Sequence, residues 1–151
     1  MNIFNKDFKD FIECFNRNEV EYILVGGYAV ILRGYSRSTG DMDVWVNKTK
    51  DNFKKIQAAL LQFGLPLIAV PFELFFSDNY DVFSFGNPPY AIEILTALKG
   101  VSFDEALIHS TVEKIEEFEI RVIHLNHLLK AKKAAGRYKD LNDLENLPSA
   151  E

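Results

Sequence analysis

Two aspartates one residue apart, Asp41 and Asp43, interrupt a run from Asp41 to Val46 that otherwise reads as a buried strand. Strand alternation puts Asp41, Asp43 and Trp45 on one face and Met42, Val44 and Val46 on the other. Like charges that close repel, and burial sharpens the repulsion. A divalent cation relieves it, and Mg²⁺ takes carboxylate oxygens together with substrate phosphates. The plain alternative is an edge strand with a solvated acidic face. A second feature lies upstream, where the short apolar run Tyr22 to Val25 stops at Gly26-Gly27. That pattern marks a buried strand turning into a helix. Glycine lets backbone N–H groups approach an anion closely, and a helix N-terminus adds a favourable field for phosphate. Taken alone, the glycines fit a tight turn with no ligand. The two features reinforce each other: a turn for phosphate, then a strand carrying carboxylates for a metal.

Val25-Gly26-Gly27, a spacer of thirteen residues and then Asp41-Met42-Asp43-Val44 resembles the signature of the polymerase-beta-like nucleotidyltransferase superfamily. The intervening Gly34-Tyr35-Ser36-Arg37-Ser38-Thr39 is similar to the segment before the Asp pair in its small bacterial branches. These are the minimal nucleotidyltransferases and the nucleotidyl-transferase-like toxins of abortive-infection type. The resemblance implies a mixed β-sheet with helices mainly on one side and a third carboxylate from a later strand. Glu93, in Tyr90-Ala91-Ile92-Glu93-Ile94-Leu95-Thr96, is the candidate, with Asp81 and Asp78 as weaker rivals. Relatives carry Asp there, so Glu93 moves the charge outward by one methylene.

The segment from Leu128 to Leu144 also resembles the closing segment of those branches, at Lys132, Gly136, Arg137, Lys139, Asp140 and Asp143. The implied activity is Mg²⁺-dependent transfer of a nucleoside monophosphate from a nucleoside triphosphate to a hydroxyl acceptor, with release of pyrophosphate. Asp41, Asp43 and Glu93 would hold one or two metal ions and carry the catalysis. Gly26, Gly27, Arg37, Thr39, Lys132 and Arg137 would contact the nucleotide. A structural reading makes Gly136 a helix cap and Asp140 the opening of the next helix, and both roles can coexist. The acceptor, whether protein, tRNA or small molecule, is not written in the sequence. The chain's shortness leaves room for a helical protein partner or a homodimer to complete an acceptor site. The competing reading is a catalytically degenerate nucleotide-binding or partner-interaction module, as in a toxin–antitoxin or defence pair.

The remaining composition sets bounds. A length of 151 residues suits one domain spanning 1–151. A formal charge of −5 argues against broad, non-specific nucleic-acid binding, which needs excess Lys and Arg. Cys14 has no partner for an internal disulfide, consistent with a cytoplasmic protein. No apolar run is long enough for a membrane span or a signal peptide. His124 and His127 lack a third ligand nearby in sequence, which argues against zinc.

Helical spacing of Phe4, Phe8, Phe11, Ile12 and Phe15 predicts an amphipathic first helix. Further helices are expected over Tyr28–Leu32, Asp51–Phe63, Phe103–His109, Leu125–Ala135 and Leu141–Leu147. Strands are expected over Glu73–Phe76, Tyr80–Phe85, Tyr90–Leu95 and Glu119–Ile123 besides the two above. Their irregular mixing predicts an α/β or α+β layer rather than a doubly wound sheet.

Overall fold

The computed structural model describes residues 4–87 and 89–149. Residues 1–3, 88, 150 and 151, which the expected 1–151 domain includes, lie outside the described residues. The strands are β1 (Tyr22–Val25), β2 (Met42–Val46), β3 (Val82–Phe85), β4 (Ile92–Leu95), β5 (Thr111–Ile115) and β6 (Phe118–Val122). They form one mixed sheet in the order β3-β4-β2-β1-β6-β5. The helices are α1 (Lys6–Arg17), α2 (Gly26–Leu32), α3 (Lys50–Phe63), α4 (Phe72–Phe75), α5 (Phe103–His109), α6 (Leu125–Ala135) and α7 (Tyr138–Asn146). The expected α/β fold with a mixed sheet is therefore present.

Register decides which side chains share a face. β1 and β2 run antiparallel with Tyr22 opposite Val46, Leu24 opposite Val44 and Val25 opposite Asp43. β2 and β4 run parallel with Val44 beside Ile94 and Asp43 beside Glu93. One face thus gathers Tyr22, Leu24, Val44, Val46, Ile92 and Ile94, all of them buried. Helix α1 covers this face with Phe15 edge-on to Tyr22 at 5.8 Å, and Phe4, just ahead of the helix, is edge-on to Phe118 at 5.6 Å. Phe11 meets Phe63 of α3 at 5.3 Å, which locks the two covering helices together. Each such buried aromatic contributes roughly 1.5–3 kcal/mol by removal from water. The opposite face carries Asp43 and Glu93, with α5 reaching part of it through the Trp45–Phe103 contact at 5.1 Å. A well-packed side supports a side left open for chemistry.

Most expected elements are present, with two differences. Glu73–Phe76 is not a strand: the segment forms the one-turn helix α4, opened by Pro71 at its N-cap. Proline presets the dihedral that starts a helix, and a four-residue segment carries no period to distinguish helix from strand. The last helix starts at Tyr138, so Asp140 sits in its first turn and completes a capping box with Arg137 rather than opening the helix. Strand β5 had no strong signal, because it pairs only with β6 at the sheet edge and most of its side chains are exposed.

One buried polar side chain holds the register that the site depends on. Asn52 accepts from the Glu21 N–H at 2.8 Å and donates to the carbonyls of Glu21 and Asn47 at 3.0 and 2.8 Å. It thereby ties the entrance of β1 to the exit of β2. Asn52→Ala would strand these groups, so it is expected to cost about 2–3 kcal/mol in urea unfolding. A loss below about 0.5 kcal/mol would show that solvent or neighbours replace the bonds.

Candidate active site

Asp43, Glu93 and Asp41 reach the site from two adjacent strands and the residue preceding one of them. Because β2 and β4 are parallel and in register, Asp43 and Glu93 stand side by side on one face. Burial pushes the Asp43 carboxyl up to about 7, helped by the charge and hydrogen bond of Glu93 and then by Asp41, while Lys139 opposes the shift. One oxygen of Asp43, Oδ1, is buried without a hydrogen-bond partner among the described residues. Asp41 lies just ahead of β2, and its Oδ1 accepts from the Ala91 N–H at 3.2 Å.

The glycine turn abuts this cluster. Gly26 adopts a left-handed φ of +69°, and a methyl group there would collide with the Asp43 carboxylate. A methyl on Gly27 would collide with the Thr39 hydroxyl and crowd the Arg37 guanidinium. Only glycine fits between these side chains. A cleft of about 560 Å³ joins Gly26, Gly27, Arg37, Thr39, Asp41, Asp43, Glu93, Lys132 and Arg137. The residues expected to hold metal, carry catalysis or contact the nucleotide all line this one cleft, whereas the rival acids Asp78 and Asp81 do not.

Four cations border the cleft, and three are already paired. Asp143 receives both Arg37 Nε at 2.7 Å and Arg37 Nη2 at 3.0 Å. The Lys132 ammonium lies 3.0 Å from Asp143 and 3.3 Å from Asp140. Arg137 Nε donates to Asp140 at 2.7 Å. Burial alone would raise both carboxyls, but hydrogen bonds from Arg137 and Lys132 hold Asp140 below the usual range. Arg37 and Lys132 do the same for Asp143. Lys139, the fourth cation, forms no ion pair among the described residues.

The sequence pattern pointed to the cations but not to the anchoring duty of Asp140 and Asp143. The available signal was their spacing of three on a helix, which faces both toward Lys132. Trp45 does not border the cleft: it is 2% exposed and packs on Phe103. His109, remote in sequence from His127, lies with its ring 5.5 Å away.

The donor set fits a hard divalent cation. Carboxylate oxygens are what Mg²⁺ prefers, and the orphaned Oδ1 of Asp43 needs a positive partner. As positioned, no three acidic, imidazole or thiol groups among the described residues converge on a point. The raised Asp43 carboxyl keeps its proton up to about 7, and Asp41 is engaged by the Ala91 N–H. A cation would have to displace that proton and draw Asp41 in.

No family model matches the chain, and no protein of curated function matches it by sequence. Solved structures do match. A presumed nucleotidyltransferase from Thermotoga maritima, TM1012, aligns with a TM-score of 0.58 at 14% identity, covering 89% of this chain and 87% of that one. The lincosamide antibiotic adenylyltransferase LnuA, in its lincomycin-bound form, aligns with a TM-score of 0.58 at 15% identity over 97% of both chains. At such identities the likeness establishes the fold, which is that of nucleotidyltransferases.

The raised Asp43 value has a defined sign in stability. Relative to an unfolded value of 3.8, wild-type stability falls as pH rises from about 4 to about 7, because only the folded state keeps the proton. In chelator-treated protein, Asp43→Asn should be more stable than wild type by about 2 kcal/mol at pH 8, with the gap closing toward pH 4. Adding Mg²⁺ should stabilise wild type and leave Asp43→Asn unmoved. Thermal melts with and without Mg²⁺ measure both; a wild type more stable than the variant in chelator would contradict the assignment.

Proposed function

We propose that this chain is a nucleotidyltransferase, moving a nucleoside monophosphate from a nucleoside triphosphate to a hydroxyl acceptor. The observation that carries the reading is the convergence of Gly26-Gly27 with Asp41, Asp43 and Glu93 in one cleft. The fold shared with LnuA and TM1012 supports it. Mg²⁺ held by Asp41, Asp43 and Glu93 would neutralise phosphate charge and align the reacting oxygens. The chain's own groups do the rest. Backbone at Gly26 and Gly27 would lie against the phosphate tail, where no side chain intervenes. Thr39 and the free donors of Arg37 border the same end. Glu93 or Asp43 would accept the acceptor hydroxyl's proton as its oxygen bonds to the α-phosphorus. The bond from the α-phosphorus to the bridging oxygen breaks, and pyrophosphate leaves with that electron pair. Lys139, unpaired at the rim, would meet charge on the leaving group.

Arg37, Lys132 and Arg137 take a second duty in this reading. Asp140 and Asp143 fix their positions, so their remaining donors are preorganised rather than freely mobile. LnuA is by name an adenylyltransferase acting on an antibiotic, which makes a small hydroxylated acceptor one candidate here beside protein and tRNA. The same pairing also favours a second reading, a nucleotide-binding module without turnover. Three of the four cations already have partners and leave little unpaired charge for a transition state.

The test is calorimetric titration of each nucleoside triphosphate with Mg²⁺, alongside pyrophosphate release over a panel of acceptors. Wild type should bind a nucleotide only with Mg²⁺, and Asp41→Ala or Asp43→Ala should weaken transfer by roughly a hundredfold or more. Binding without pyrophosphate release would favour the module, and absence of binding would contradict both readings.

A further inference from the structure

All three histidines of the chain, His109, His124 and His127, meet where the end of α5 faces the start of α6. The His127 ring lies 5.5 Å from that of His109 and 6.5 Å from that of His124. Glu105 joins them from one turn earlier on α5, its Oε1 3.7 Å from His127 Nε2. Positions four apart share a helix face, so Glu105 and His109 approach His127 from the same side. None of these residues lines the carboxylate cleft.

His127 is not a satisfied core histidine. Its side chain is 12% exposed, and Nδ1 is buried without a hydrogen-bond partner among the described residues. Its Nε2 faces Glu105 across 3.7 Å, a separation longer than a hydrogen bond. That spacing suits two ligands of one ion, because donors each held about 2.0–2.2 Å from zinc stand roughly 3–4 Å from each other. The rings agree. An imidazole bound through nitrogen has its centroid roughly 3.2 Å from the metal, so two such rings stand roughly 5–6.5 Å apart. His124 is engaged otherwise: its Nδ1 accepts from the Asn126 N–H at 3.0 Å and caps α6. In the neutral ring this puts the proton on Nε2 and leaves His124 no free lone pair. The available ligands are therefore His109, His127 and Glu105.

Two imidazoles and a carboxylate suit zinc or a neighbouring transition metal rather than Mg²⁺. As positioned, the three donors do not converge on a point. Convergence needs only side-chain turns, since His109 and Glu105 are exposed and the second torsion of a histidine turns over a broad range. We propose that Glu105, His109 and His127 form a zinc site bridging α5 and α6, with solvent completing the coordination. The ligands that His127 lacks in its own segment come from α5. This site is separate from the proposed nucleotidyl transfer, and neither reading depends on the other.

The test is calorimetric titration of Zn²⁺ into metal-stripped wild type, His109→Gln, Glu105→Gln, His127→Gln and Asp43→Asn, the last controlling for zinc at the carboxylate cleft. Wild type and Asp43→Asn should both show binding of one ion with a Kd of about a micromolar or tighter. His109→Gln and His127→Gln should weaken that event roughly a hundredfold, and Glu105→Gln about tenfold. His109 and Glu105 are exposed, so their variants decide the matter even if His127→Gln does not fold. A wild-type Kd weaker than about 100 µM would overturn the proposal. Affinity unchanged in His109→Gln and Glu105→Gln, or a tight event lost in Asp43→Asn, would overturn it as well.

Discussion

Parallel pairing of β2 and β4 sets two carboxylates side by side, and the rest of the site is arranged around that conflict. Asp43 and Glu93 cannot move apart without breaking the register that also buries Val44 and Ile94. Burial first, and then the neighbouring Glu93 charge, raises the Asp43 carboxyl and favours its protonated form in the absence of a cation. The apolar face thus enforces an electrostatically unfavourable polar face. Such an arrangement costs stability, and proteins keep costs of this kind where function uses them.

The ionic network at α7 has the opposite character. Asp140 and Asp143 are buried but satisfied, each held by two basic side chains. Buried ion pairs of this kind contribute little net stability against an apolar replacement, yet removing one partner leaves an uncompensated charge. Their effect here is positional. Arg37 comes from the loop before β2, Lys132 from α6 and Arg137 from the turn into α7, and the two aspartates draw all three to one wall of the cleft. Helix α7 therefore joins the site through charge, whereas α1 and α3 support it through aromatic packing.

Much of this was legible in the chain because short-range patterns carry it. Alternation from Asp41 to Val46 identified the acidic face, and the apolar run ending at Gly26-Gly27 identified the turn beside it. Gly26 and Gly27 proved necessary for a reason visible only in three dimensions: the Asp43 and Thr39 side chains occupy the space their Cβ atoms would need. The duty of Asp140 and Asp143 was hidden because ion-pair partners more than a hundred residues apart, such as Arg37 and Asp143, leave no local mark. Glu73–Phe76 was misread as a strand because four residues have too short a span for periodicity to decide.

The central claim is that the Asp43 carboxyl, raised by burial beside Glu93, keeps a proton that a divalent cation must displace. Mg²⁺ titrations at pH 6, run in buffers of different ionisation enthalpy, count the protons released on binding. The account predicts about one proton released per cation bound, falling toward zero in Asp43→Asn. Cation binding without proton release, or release unchanged by that substitution, would contradict it.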